Sequence, residues 1–308
     1  MSVAGTESDD RMVQPTSDIF TAVLWSAPKN EPILRDFLNA VLIDSGQLTI
    51  KEATVLNPFN IKEFAFDRQL VLDVLVKDET DCRYNIEVQT ASHAGFVNRM
   101  LLQWADTYSS VLRAGDGFTQ LVPVKSVVLT VFPIFPKLRN PHTIFEIRSM
   151  ENPEVALTDH FRMHFLRLGD ILKRQLVDMD NLFGGLRHWI NFFIFADTVS
   201  EDKMTQLVEN NPAVQAAYEE LQRFSSNAEM REFERRRRRF QEDTRIYVGA
   251  ARAEARAEGK AEGIIEGKAE GVVEREIEIA QNMKRKGFDV QSIADLTGLS
   301  HAEIERLG

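Results

Sequence analysis

An α/β fold with a mixed sheet flanked by helices, extended by a long helical stem and a small C-terminal helical motif, is the architecture this sequence predicts. Three observations carry it. Residues 69–91, QLVLDVLVKDETDCRYNIEVQTA, read as a β-hairpin: a Val- and Leu-rich arm up to Lys77, the polar turn DETDC, and an alternating arm from Arg83 to Ala91. A helical stretch at 96–114 then precedes VKSVVLTVFPI at 124–134, a β-prone run that reads as a central strand. Far downstream, residues 251–274 repeat with a period of four: ARAE ARAE GKAE GIIE GKAE GVVE.

In chain order, residues 1–16 are polar and acidic and are expected to be disordered. Two helical pieces follow at 18–26 and 31–44, divided by Pro28; Ile33, Phe37 and Val41 recur at helical spacing in the second. Asp18 stands where it can cap the first piece, or lend a further acidic group to a metal. Residues 48–57, LTIKEATVLN, read as a first strand stopped by Pro58. After the hairpin, the helix at 96–114 carries Arg99 and Gln103 one turn apart and is closed by Gly115 and Gly117. Two further strands are expected in 142–168, IFEIRS and FRMHFLRL, with His164 as a hydrogen-bonded core residue of the second. Residues 179–225 read as helices whose Trp189, Phe192, Phe193 and Phe195 pack on the sheet. The arginine run 235–239 is either a solvated helix face or a basic collar that tracks a DNA backbone.

The four-residue repeat has a physical consequence. Four residues are 400° of helix, so each position drifts by only about 40° per unit and forms a stripe. Glu254, Glu258, Glu262, Glu266, Glu270 and Glu274 stack at i,i+4, where like charges repel, and glycine at 259, 263, 267 and 271 costs roughly 1 kcal/mol each. A helix this poor alone needs a partner, so 251–274 reads as a homo-oligomerisation stem. The chain ends in short helices at about 277–286 and 290–296, then a turn into 300–307, where Ser300 and Glu303 form a capping box. This resembles a helix-turn-helix half, although its last helix has few basic residues.

Length and composition set the bounds. With 308 residues, the chain can bury one core plus an extension, or two domains. A single cysteine, Cys82, excludes an intramolecular disulfide and a cysteine-based zinc site. The absence of an apolar leader or a spanning stretch points to a cytoplasmic protein with no membrane partner. A net charge of −10 is unusual for a protein that binds nucleic acid, unless its basic residues cluster locally.

The hairpin holds the chemistry. If its turn is centred on Thr80, Asp73 lies opposite Glu87, and Gln89 shares the face of Glu87. Neither carboxylate has a basic partner within the hairpin. Burying them therefore calls for neutralisation, and a divalent cation with oxygen ligands is one answer; a wet, polar sheet face is the other.

Asp73 followed by Glu87-Val88-Gln89 resembles the split catalytic motif of the PD-(D/E)XK nuclease superfamily, with Gln in place of the usual Lys. Several flanking stretches are similar to the Rpn-type family of recombination-promoting nucleases and transposases. These are Asp18-Ile19-Phe20, Phe37 to Leu42, Phe96, Arg99-Met100, Tyr108-Ser109, Gly115, Phe118, Leu121 to Val124, the glycine-rich repeat and Ile293 to Ser300. The similarity is strong over about 18–135, weaker to about 197, and clear again after 250. It implies a restriction-endonuclease-like core in the order helix, three strands, helix, strand. It also implies a metal-dependent DNA endonuclease acting in recombination or transposition. Asp73, Glu87 and Gln89 would be catalytic; Asp73, Glu87 and Asp18 would hold Mg²⁺, with Mn²⁺ the alternative. Arg99, Gln103, Arg235, Arg236 and Arg237 would meet DNA. Domains are expected at 1–16 (disordered), 17–225 (nuclease-like), 226–275 (stem) and 276–308 (helix-turn-helix-like). The chain departs from the family pattern at Thr21, where Lys is common, and at Arg167 and Gly169, where an acidic residue and Lys are common. These departures, with Gln89 and the acidic charge, support the rival reading: a decayed DNA-binding or self-assembling factor.

Overall fold

A computed structural model describes residues 12–58, 73–172, 182–207 and 211–307. Residues 1–11, the start of the first hairpin arm (69–72) and part of 179–225 lie outside them. The described residues fall into two compact units that divide between Arg238 and Arg239.

The first unit opens with α1 (Asp18–Ser26) and α2 (Glu31–Asp44). The cap of α1 is Ser17, one residue before the expected Asp18; its hydroxyl accepts from the Phe20 N–H at 3.2 Å. Of the strand expected at 48–57, only Thr54–Val55 (β1) joins the sheet. The segment before it spends its backbone groups on side chains. Asn39 bonds both the N–H and the C=O of Ile50, and the amides of Lys51 and Glu52 donate to Glu79.

The hairpin forms as β2 (Val74–Lys77) and β3 (Arg83–Gln89), with Val74 opposite Ile86. Helix α3 (Phe96–Ser109) follows; it stops five residues short of the expected 114 because Ser109 and Ser110 bond back to the carbonyls of Asp106 and Thr107. Strand β4 (Val124–Thr130) ends before Pro133, which has no N–H for a ladder. Strands β5 (His142–Glu146) and β6 (Phe161–Leu166) complete a sheet ordered β1-β2-β3-β4-β6-β5. The β3–β4 and β4–β6 pairs are parallel and the others antiparallel, so the sheet is mixed.

Side chains alternate across the sheet and divide the core in two. Val74, Val76, Tyr84, Ile86, Val127, Leu129 and Leu166 face a layer built from α1, α2, α5 (Gly184–Phe195) and α7 (Pro212–Ser226), where Trp25, Phe37, Trp189 and Phe193 pack ring on ring. Short helices α4 (Leu168–Leu172) and α6 (Glu201–Leu207) complete this side of the chain. Val128, Phe161, Met163 and Phe165 face the other way, against Phe96 and Met100 of α3. Glu87 is in register with Val128 and therefore lies on the α3 side.

Helix α8 runs unbroken from Ala228 to Arg285, merging the stem with the separate helix expected at 277–286. No residue of the intervening stretch caps or breaks it. In the second unit, Ala280, Ile293 and Ile304 form a small core with α9 (Val290–Thr297) and α10 (His301–Arg306). Gly298 turns between them at φ +72°, and the Ser300/Glu303 capping box opens α10.

Candidate active site

One residue beyond the recorded β2–β3 pairs, Asp73 stands opposite Glu87. Asn57 holds that point of the chain: its amide donates to the Asp73 carbonyl at 2.9 Å and accepts from the Leu75 N–H at 2.7 Å. Sequence reasoning passed over Asn57, although an Asn just before the strand-stopping Pro58 was a signal for such a clip.

Glu87 is 3 % exposed, and its partners come from its own strand and from α3. Gln89 donates to Oε1 of Glu87, and Arg99 donates to the same oxygen at 2.7 Å. The basic partner absent from the hairpin is therefore supplied by the helix across the sheet face. Gln103, one turn further along, donates through Nε2 to Oδ2 of Asp73 at 2.9 Å. Among the described residues, no donor reaches Glu87 Oε2 or Asp73 Oδ1. Burial pushes the Asp73 carboxyl up to about 6, with Arg99 acting against it. The Glu87 carboxyl is pushed to about 8, by burial first and then by the charge of Asp73, despite Arg99 and Gln89.

The pair fits a hard divalent cation. Among the described residues, two carboxylates each keep one oxygen free of protein donors, both are hard to ionise even beside Arg99, and a buried amide oxygen, Gln103 Oε1, lacks a partner. Asp18 does not complete a trio: it pairs with Arg237 at 2.9 Å. Among the described residues, no three His, Cys, Asp or Glu side chains gather to hold a metal.

The expected DNA contacts separate by environment. Arg99 and Gln103 turn inward to the carboxylates. Arg235 and Arg236 both pair with Glu232 at 2.9 Å, and Arg237 is spent on Asp18. The arginine run is thus partly ion-paired, with Arg235 and Arg236 sharing the one carboxylate of Glu232.

The departures at Thr21 and Gly169 have structural causes. Thr21 is buried, and its hydroxyl donates to the Ser17 carbonyl at 2.9 Å. A Cβ on Gly169 would come within 2.3 Å of the Phe132 carbonyl carbon, so only glycine fits there. Arg167 is buried, ion-paired to Asp170, and donates to the carbonyls of Leu138, Asn140 and Phe135. His164 is a hydrogen-bonded core histidine: its Nδ1 meets His142 at 2.9 Å, and His142 meets Asp44 at 2.6 Å. Burial, then neighbouring positive groups, holds His164 well below the usual histidine range.

Comparisons with curated proteins and with solved structures returned no match. Two family models do match. Residues 15–251 match the PD-(D/E)XK nuclease family transposase, and residues 273–308 match the Rpn/YhgA-like nuclease family, C-terminal HTH domain. The first match spans the mixed sheet, both carboxylates and the helix that supplies Arg99, and the second spans the small helical core after the stem. By that coverage the chain belongs to the PD-(D/E)XK nuclease family transposases.

Proposed function

We propose that this protein is a divalent-metal-dependent DNA endonuclease acting in recombination or transposition, with Asp73 and Glu87 as metal ligands. The observation that carries the reading is the buried cross-strand pair, whose carboxyls are both raised and, among the described residues, each keep an oxygen free of protein donors. Mg²⁺ or Mn²⁺ would suit such oxygen ligands, and the Val88 carbonyl would be a further oxygen to help hold the ion. A cation held there supplies Lewis-acid polarisation of a phosphoryl oxygen and lowers the pKa of a bound water. Asp18 joins only if Arg237 releases it.

The side chains around the pair have separable tasks. Gln89 stands where Lys is usual; an amide cannot take a proton as a general base, but it donates, and here it orients Glu87. Arg99 is the positive charge at the site, and its side chain is 42 % exposed. It can turn from Glu87 to a phosphate when DNA arrives. DNA binding by the C-terminal helical motif fits the HTH family it matches. No described helix is long and apolar enough to cross a membrane.

Association through 251–274 completes the proposal. Beyond the helix's own backbone, a Cβ on any of Gly259, Gly263, Gly267 or Gly271 would meet no atom of the described residues within 4 Å, so none of them uses the space these glycines leave. A second copy of the helix, packed closely on the stripe, gives that space a use.

The test is plasmid cleavage with Mg²⁺, Mn²⁺, Ca²⁺ or EDTA, on wild type, Asp73→Asn and Glu87→Gln. Cleavage by wild type with Mg²⁺ or Mn²⁺, lost by at least 100-fold in both variants, is expected. Cleavage that persists in EDTA or in either variant overturns the assignment. Absent cleavage with intact DNA binding favours the decayed binding factor.

A further inference from the structure

We propose that Gln103 is a positioning residue of the carboxylate pair, its amide nitrogen fixing Asp73 and its amide oxygen reserved for a water on the cation. The inference rests on the reading that Asp73 and Glu87 hold a divalent metal.

The geometry separates the two ends of this amide. Nε2 donates to Asp73 Oδ2 at 2.9 Å, the orientation that suits an ionised carboxylate, against which the opposite flip would set two oxygens. Oε1 is then buried with no partner among the described residues. A buried acceptor left unmade is costly; the bond to Asp73 accounts for the amide nitrogen and leaves the oxygen without a use among the described residues. The neighbours show that the position is held firmly. Trp104 donates its indole N–H to the Val124 carbonyl at 2.9 Å and stacks on Tyr108, anchoring this turn of α3 against β4. Thr107 donates to the Gln103 carbonyl at 2.9 Å. Asp73 is fixed from its other side by Asn57.

A rigid amide whose nitrogen engages a ligand carboxylate and whose oxygen lacks a hydrogen has one natural partner. Divalent cations of this kind retain water molecules, and a metal-bound water would be a strong donor for which Gln103 Oε1 is an acceptor. Gln103 thereby selects which Asp73 oxygen faces the cation and where a bound water sits. It acts through other groups and touches no reacting atom.

Metal binding without DNA tests this. Full-length wild type, Gln103→Met and Gln103→Glu are titrated with Mn²⁺, followed by electron paramagnetic resonance, with Glu87→Gln as the control for the pair. Gln103→Met keeps the shape but neither donor nor acceptor, and a fivefold or greater loss of Mn²⁺ affinity is expected. Its melting temperature in EDTA should be unchanged or higher. Gln103→Glu retains acceptor oxygens and should bind Mn²⁺ at least as tightly as wild type. If Gln103→Met does not fold, Gln103→Asn, too short to span the gap, replaces it with the same expectation. Wild-type Mn²⁺ affinity in Gln103→Met overturns the inference alone, and so does a loss confined to DNA affinity. A wild type that binds no Mn²⁺, indistinguishable from Glu87→Gln, overturns the metal reading and this inference with it.

Discussion

Asp73 and Glu87 show how a site can be costly to the protein that carries it. Both carboxyls sit above their ordinary values, at about 6 and about 8, so the folded state holds protons more tightly than the unfolded chain. The stabilisation from that excess affinity is complete below about pH 4. It is lost as pH rises through about 6 and then about 8. The metal-free variant Asp73→Asn/Glu87→Gln should therefore melt at the wild-type temperature or slightly above at pH 5, and exceed it by a growing margin toward pH 8. Calorimetric melts in EDTA across that range check this; a margin that shrinks with pH would show the pair to be stabilised as anions. Apparent Mg²⁺ affinity should rise over the same interval, because the cation displaces protons.

At the scale of elements, α3 and the start of α8 matter most. Helix α3 covers one sheet face with Phe96 and Met100 and brings Arg99 and Gln103 to the carboxylates, so core packing and site geometry are set by one rigid body. The first turns of α8 belong to the nuclease-like unit. Met230 and Phe233 pack on its core, the Ser17 hydroxyl donates to buried Glu234, and Arg237 pairs with Asp18. Truncation after residue 245 retains all of these contacts and should leave a domain that melts within a few degrees of the full chain. Truncation after 227 removes them and should cost about 2–4 kcal/mol. Thermal melts of both fragments decide it, and equal stability would show that α8 contributes nothing to the unit.

For the whole molecule the open variable is association. Replacing Gly259, Gly263, Gly267 and Gly271 together by alanine removes a helix cost of roughly 1 kcal/mol at each position. In an isolated helix this change only stabilises. If a second copy packs on the glycine stripe, four methyl groups push it away and the oligomer weakens by about tenfold or more. Sedimentation velocity at micromolar concentration separates the two: a smaller weight-average mass with higher helix content is the expected result. An unchanged mass would show that the stripe does not assemble the protein.

How much of this was legible in the sequence varies with the range of the interaction. Local pattern determined the hairpin register, because a polar turn centred on Thr80 between two β-prone arms leaves Asp73 one place: opposite Glu87. It likewise determined the Ser300/Glu303 capping box and the continuation of helix through the four-residue repeat. Only the tertiary structure decided which groups neutralise the carboxylates. Arg99 and Gln103 reach them across a sheet face, from a helix 12 and 30 residues away in sequence, and no periodicity encodes that meeting. The same holds for Asp18, drawn to Arg237 across 219 positions, and for Gly169, whose missing side chain makes room for the Phe132 backbone. Turns, caps and strand alternation follow from neighbouring residues and can be read in order. The partner of a buried charge is chosen by the packing of distant elements, which exists only once the chain has folded.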